Sequence, residues 1–348
     1  MSHYKILLLP GDGIGSEVTD EAQRVLEAIS SKHSALSLSF TTQSVGAGEY
    51  LKSGNPLPES AMEACREADA VLLGAMGLPH VRWSDGREMT PQIDLRERLD
   101  LFAGLRPIKL FHSDDSVLKG YGANKPIDFL IVRENTEGLF SGRLNKQSAD
   151  GSESCDLLRL TRKGCERICR TAFEHARKRR KYCTLVDKAN VLPSMVFFRE
   201  IFNQVGEEFP DVKRDCIYVD AMALFLVQKP HTFDVMVTEN MFGDILSDLA
   251  AGLVGGMGMA PSADIGEQYA IFQPSHGTAP DITGKGIANP IAAILSASMM
   301  LDWLGEKQAA ENIESAVARI LENPAMRSSD IGGNTGTKAL ADAIISEL

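Results

Sequence analysis

Short apolar runs alternate with stripes of apolar residues at helical spacing along most of this chain. Lys5–Leu9 ends in an unbroken Ile-Leu-Leu-Leu run, the pattern of a strand buried on both faces. A turn, Pro10–Gly15, and a helix from Ser16 to about Ser30 follow. Strand Leu36–Gln43, helix Glu59–Glu67 and strand Ala70–Leu73 repeat the alternation. Further strands are predicted at Phe129–Val132, Tyr182–Val186, Ile217–Asp220, Val235–Thr238 and Ile271–Gln273. Helices are predicted at Thr161–Lys178, at 238–251, at Ile291–Leu304 and twice more before the C-terminus. Within 90–107, Leu95, Leu99 and Phe102 form one helical stripe. This order implies an α/β fold with a mostly parallel sheet and reactive residues at the C-terminal ends of its strands. The polar stretch 141–160, with an Asp150-Gly151 hairpin signal, reads as an extended β-arm. Such an arm would need something to pack against, and a second subunit is the expected candidate.

At 348 residues the chain makes one oversized domain or two, and 44% hydrophobic content fills a large core. The net charge of −11 argues against nucleic-acid or anionic-membrane partners, but not against an anionic substrate met by local arginines. No apolar run approaches the ~20 residues of a membrane span. The N-terminal apolar run is too short for a signal peptide. The six cysteines show no C-x-x-C spacing, and Cys165 and Cys169 read as packing residues. A reduced, cytoplasmic protein is expected.

Candidate chemistry centres on T-E-N-M-F-G-D-I-L-S-D-L-A-A at 238–251. On a helix, Asp244 and Asp248 project from one face with Cβ atoms about 5–6 Å apart. They are either a solvated acidic face or a site for a hard divalent cation, Mg²⁺ or Mn²⁺. Ile245, Leu246 and Leu249 are expected to anchor this helix in the core, and Gly243 to allow a tight turn before it. Asp220 at a strand end is expected at the same rim. Arg96 and Arg106 are either surface residues or paired clamps for carboxylates. Lys188, just beyond a strand, is a candidate acid/base. The basic run Arg177–Lys181 reads as a solvated helix end. Gly11-Asp12-Gly13-Ile14-Gly15 suits a phosphate-binding turn, yet its third glycine falls one position short of the dinucleotide fingerprint. The turn-dense loop 274–290 has the length of a functional loop.

Six ordered motifs give the chain a wider resemblance: G-D-G-I-G at 11–15, L-R-x-x-L-D-L-F-A-x-L-R-P at 95–107, R-E-N-T-E-G at 133–138, D-K-A-N-V-L at 187–192, N-M-F-G-D-I-L-S-D at 240–248 and H-G-T-A-P-D-I-T-G-K-G-I-A-N-P at 276–290. Together they resemble the metal-dependent β-decarboxylating dehydrogenases, the isocitrate/3-isopropylmalate dehydrogenase family. The resemblance implies a fold that is not Rossmann. A large α/β domain formed by 1–101 and 255–348 would carry the cofactor, and a smaller α/β domain, 102–254, the β-arm and a homodimer interface. It implies NAD and Mg²⁺ or Mn²⁺ as cofactors and a small 2-hydroxy di- or tricarboxylate as substrate, oxidised and decarboxylated to a 2-oxo acid. Arg96, Arg106 and Arg133 would bind carboxylates, with Thr90 and Gln92 in the segment that sets specificity. Asp244 and Asp248 would hold the metal with Asp220 of the other subunit, where Lys188 and Asp220 would also act in proton transfer. Ile14, Gly74, Ala75, His276, Gly277, Ala279, Asp281, Ile282 and Asn289 would contact the dinucleotide. NADP-using relatives place lysine and tyrosine where this chain has Asp281 and Ile282.

Two departures stand out. Phe140 occupies the place of a tyrosine that helps protonate the enolate. A non-catalytic ligand-binding or regulatory subunit is therefore the competing reading. Isopropylmalate enzymes place paired leucines where this chain has Gln92 and Ile93, and isocitrate enzymes a serine and an asparagine where it has Thr90 and Gln92. A buried glutamine amide makes a poor wall for an isopropyl group, at a cost of about 1–3 kcal/mol if unpaired.

Overall fold

The computed structural model describes residues 2–143 and 154–348. Its strands are β1 (Ser2–Gly11), β2 (Leu36–Thr42), β3 (Ala70–Ala75), β4 (Ala103–Lys109), β5 (Asp128–Glu134), β6 (Tyr182–Asp187), β7 (Lys213–Tyr218), β8 (Val235–Thr238), β9 (Pro261–Ile265) and β10 (Ala270–Pro274). Its helices are α1 (Gly15–Lys32), α2 (Ala47–Ser53), α3 (Glu59–Glu67), α4 (Pro91–Arg98), α5 (Arg162–Lys178), α6 (Pro193–Gly206), α7 (Val219–Gln228), α8 (Asn240–Gly252), α9 (Ile291–Trp303), α10 (Lys307–Leu321) and α11 (Thr337–Glu347).

All ten strands join one sheet, in the order β2-β1-β3-β10-β9-β4-β5-β8-β6-β7. Strands β2, β1, β3 and β10 run parallel at one side, and β5, β8, β6 and β7 run parallel at the other. Between them β10, β9, β4 and β5 pair antiparallel. The parallel halves match the alternating pattern. The antiparallel centre does not, because β4 begins in the segment that reads as a helix stripe, and β9 lies in the glycine- and methionine-rich stretch 251–266, which carries no strand period. The positions of β4 and of Phe102 correct the Leu95–Leu99–Phe102 helix. Helix α4 ends at Arg98, Asp100 takes a positive φ of 48°, and Phe102 leads into β4.

The unbroken apolar run of β1 follows from burial on both sides. Ile6 and Leu8 pack with Val18, Val25 and Leu26 of α1, while Leu7 and Leu9 pack with Ala61 and Met62 of α3. Helices α9 and α10 extend the first face, and α5 and α6 continue it over the far half, where Phe173 stacks on Phe202 and Phe209. Around α5 the Arg177–Lys181 run is not simply solvated. Arg177 and Lys181 pair with Asp211, and Arg179 pairs with Asp128 and the buried Asp234. Cys165 and Cys169 are buried on α5, and the six cysteines form no disulfide among the described residues.

The first glycine turn is built for close approach. Gly13 sits at φ +59°, and a Cβ there would meet the Thr278 carbonyl oxygen at 2.2 Å. The Ile14 amide donates to that same oxygen at 2.9 Å. The Asp12 carboxylate gathers three backbone amides, Ala47 and Gly48 at 2.7 Å and Gly77 at 2.8 Å. Residues 144–153, which include the Asp150-Gly151 turn of the expected arm, lie outside the described residues. The described flanks hold a short 3₁₀ turn at Phe140–Gly142 and one isolated bridge, Gly138 to Arg159. No described helix is long and apolar enough to cross a membrane.

Candidate active site

A cavity of about 240 Å³ opens over the centre of the sheet. Its lining comes from β3 (Leu73, Gly74, Ala75), β10 (Gln273, Pro274), β4 (Arg106) and β5 (Arg133), with Gln92, Ile93 and Arg96 of α4 and Asp244 and Asp248 of α8. Strand direction reverses here, so the site is not confined to strand C-terminal ends. Arg106 stands mid-strand, paired in register with Ile131.

The three arginines are buried, at 6%, 6% and 1% exposure for Arg96, Arg106 and Arg133. Each is held by a different neighbour. The Arg96 Nε donates to Asp264 at 2.8 Å. The Arg106 Nη1 donates to the Ser275 hydroxyl at 2.7 Å, while its Nε is buried without a partner. The Arg133 Nε and Nη2 donate to Asn240 Oδ1 at 3.1 and 2.7 Å, and its Nη1 to Asp244. Burial lowers the Arg106 guanidinium below its ordinary pKa. Burial, joined by repulsion from Arg96, brings Arg133 down to about 10. Buried cations this crowded need anions, and a dicarboxylate ligand would supply them.

Asp244 and Asp248 lie one turn apart on α8 and face this cavity together. Partial desolvation, then the Asp244 charge, raises the Asp248 carboxyl above its usual value. Two like-charged oxygen donors turned to one space form a donor set that a hard dication would neutralise. Asp220 does not join them. It lies in the first turn of α7, not at the end of a strand, and accepts from Lys188 Nζ at 2.6 Å. Among the described residues of one chain, no three His, Cys, Asp or Glu side chains gather as a metal cluster. The expected rim of three aspartates is therefore not formed within a single chain. Neither Lys188 nor Asp220 lines the cavity.

Helix α8 departs from expectation in two ways. Gly243 lies inside the helix, not before it. A Cβ there would meet the Arg133 Cγ at 2.6 Å, so glycine makes room for the arginine. Leu246 is buried, but Ile245 is 59% exposed. The helix buries its Gly243, Leu246, Ser247 and Ala250 side, and Ile245 falls off that stripe.

Of the other expected residues, Gly74, Ala75, His276 and Gly277 line the cavity. Thr90, Ile14, Ala279, Asp281, Ile282 and Asn289 do not. Ile14 is buried beneath the first turn, and Asp281 and Ile282 sit in the loop that docks on that turn through Thr278. The Asn289 side chain is engaged inside the protein, accepting from the Ile291 amide at 3.0 Å and donating to Asp330 at 3.1 Å. The Gln92 Oε1 is buried without a partner, and the Phe140 ring lies 5.6 Å from the Arg133 guanidinium carbon. Sequence reasoning missed Asn240, Ser275, Gln273, Asn135 and Asp264 as site residues. A carboxylate among the small and apolar residues of Pro261–Ile265 was the one signal that could have been read.

The isocitrate/isopropylmalate dehydrogenase model matches residues 5–344. The chain is 41% identical to a 3-isopropylmalate dehydrogenase of Aquifex aeolicus, covering 100% of this chain and 98% of the relative. It is 42% identical to a 3-isopropylmalate/3-methylmalate dehydrogenase of Methanocaldococcus jannaschii, covering 98% of each. Among solved structures, isocitrate dehydrogenase from Methylococcus capsulatus superposes with a TM-score of 0.90 at 38% identity over 99% of each chain. The chain belongs to the isocitrate/isopropylmalate dehydrogenase family.

Proposed function

We propose that this chain catalyses the NAD-dependent oxidative decarboxylation of a (2R)-malate-type 2-hydroxy acid, assisted by Mg²⁺ or Mn²⁺. The observation that carries the reading is the convergence of three buried arginines and the Asp244/Asp248 pair on one cavity. Arg96, Arg106 and Arg133 bind the two carboxylates, which places C2 beside the acid pair. A divalent cation held by Asp244 and Asp248 supplies Lewis-acid polarisation of the C2 oxygen. The Gly13 turn, Gly74-Ala75 and the His276–Ile282 loop would hold NAD, which would supply the hydride acceptor.

Lys188 and Asp220 handle the hydroxyl proton from a second subunit. Their 2.6 Å pairing lowers the Asp220 carboxyl, so it stays ionised and holds the ammonium in place. Tyr218, whose ring lies 6.0 Å from Lys188 Nζ, Leu224 and Val227 on the helix that carries Asp220, and Ile245 on the adjoining α8 are all exposed, and they suit a homodimer interface that brings this pair to the partner's cavity. In this reading 102–254 forms the smaller domain, and 1–101 with 255–348 the larger. The reduced thiols fit a cytoplasmic enzyme.

Isopropylmalate, D-malate or tartrate, and isocitrate or homoisocitrate all fit the reaction. The unpartnered Gln92 oxygen favours a polar C3 substituent or none. Phe140 offers no proton at C3, and this favours a second reading, a non-catalytic regulatory subunit. Purified chain, NAD and Mg²⁺ or Mn²⁺, screened by NADH absorbance across these acids, separates the two. Turnover that EDTA abolishes is the expected result. A chain that binds these acids yet reduces no NAD with any of them is the regulatory subunit.

A further inference from the structure

Asp264 is the buried carboxylate on which the floor of the cavity is assembled. It lies on β9, 2% exposed, in register with Gly104 of β4 and Ile271 of β10. Its Oδ2 accepts from Arg96 Nε at 2.8 Å and from Gln273 Nε2 at 2.7 Å. Its Oδ1 accepts from Asn135 Nδ2 at 2.7 Å. Thus one side chain joins α4, β9, β10 and the residue that follows β5.

All three partners donate in this arrangement: the Arg96 guanidinium can do nothing else, and the Asn135 and Gln273 amides turn their NH₂ groups to the carboxylate. Burial by itself would raise this carboxyl, but Arg96, then Arg106, outweigh it and hold the group ionised. Asp264 does not line the cavity, whereas Arg96 and Gln273 do. Because it is the Arg96 Nε that Asp264 engages, the terminal amino groups remain for a ligand. A bidentate fork recognises a carboxylate only when its plane is fixed.

We propose that Asp264 is a positioning residue for substrate recognition: it fixes the Arg96 fork and the Gln273 amide toward the carboxylates of the bound acid. The proposal rests on the reading that the arginine cavity takes a dicarboxylate. Asparagine at this place removes the counter-charge of Arg96, and its NH₂ obliges the Asn135 amide to turn over or go unpaired. A defect in binding alone raises KM and leaves kcat in place.

The test uses the full chain with Mg²⁺. Calorimetry with (2R)-malate in the absence of NAD gives Kd, and steady-state kinetics with the best acid from the screen give KM and kcat. Asp264→Asn is expected to raise Kd and the acid's KM about 10- to 100-fold, with kcat and the NAD KM within about threefold. Asp264→Asn/Asn135→Asp returns a carboxylate to the same cluster without changing a side chain that lines the cavity, and recovery of Kd to within about threefold of wild type is expected. The proposal is overturned by a wild-type Kd in Asp264→Asn. It is equally overturned by matching losses in the acid KM, the NAD KM and kcat, which mark a general structural defect. If the single variant does not fold, the double variant decides: wild-type affinity supports positioning, and weak affinity in a folded protein overturns it. Failure of both to fold makes Asp264 a stability element and also overturns it. Malate binding that depends on Asp264 in a chain without turnover strikes the proposed activity and leaves the positioning role standing.

Discussion

At the scale of single residues, the chemistry of this site is set by which charges are buried together. Arg133 is the clearest case. Burial pulls its pKa down to about 10, yet its ion pair with Asp244 and its bonds to Asn240 keep it charged and aimed. In the proposed reading, an exposed charge on the His276–Ile282 loop selects the cofactor. Asp281 is exposed on the loop that docks against the Gly13 turn. A carboxylate there would accept from an adenosine ribose and would repel a 2′-phosphate. Wild-type protein is therefore expected to prefer NAD. Asp281→Lys/Ile282→Tyr should shift the preference toward NADP by about two to three decades in kcat/KM, or roughly 3–4 kcal/mol. Kinetics with both cofactors check this, and an unshifted ratio would remove Asp281 from cofactor selection.

At the scale of elements, two helices show how charge and cap fix a segment. Helix α8 starts on Glu239, whose Oε1 accepts from the Phe242 amide at 2.7 Å. That cap sets the rotation at which Asp244 and Asp248 face the cavity. Helix α5 ends beside His175. Burial, then the Lys178 and Arg179 charges, lowers this imidazole from 6.5 to about 4. The folded state therefore keeps His175 neutral in the window where the unfolded chain binds a proton. Stability is fully present above pH 6.5 and is lost as pH falls toward 4. With the ring only partly shielded, the loss attributable to this group is about 2 kcal/mol. His175→Gln should flatten that part of the profile, as read by urea unfolding at pH 7 and pH 4.5. An identical slope in both proteins would assign the acid sensitivity to other groups.

At the scale of the whole molecule, the cavity of one chain carries arginines and an acid pair, while Lys188 and Asp220 pair away from it. If the partner subunit completes the site, mixing Lys188→Ala protein with Arg96→Ala protein creates one intact cavity per heterodimer. Recovery of up to about a quarter of wild-type activity is expected for random subunit exchange between equal amounts, since half the dimers are mixed and each holds one good site. Exchange is confirmed by mass spectrometry. Inactive mixtures after full exchange would locate the lysine's action within its own chain.

Much of this was legible in the sequence. The apolar run of β1, the helical period of α3 and the motif order fixed the α/β class and the family, because local pattern and motif need no distant partner to be read. The arginines and the acid pair were legible as candidates for the same reason. Three things were not. The antiparallel centre, β9 with β4, depends on pairings far apart in the chain that carry no local period. The place of Gly243 inside α8 depends on Arg133, 110 positions earlier, needing the space that a Cβ would fill. Asp264 reads in the sequence as one acid among small residues. Only the folded chain brings Arg96, Asn135 and Gln273 around it, because a buried carboxylate is tolerated where distant donors converge and nowhere else.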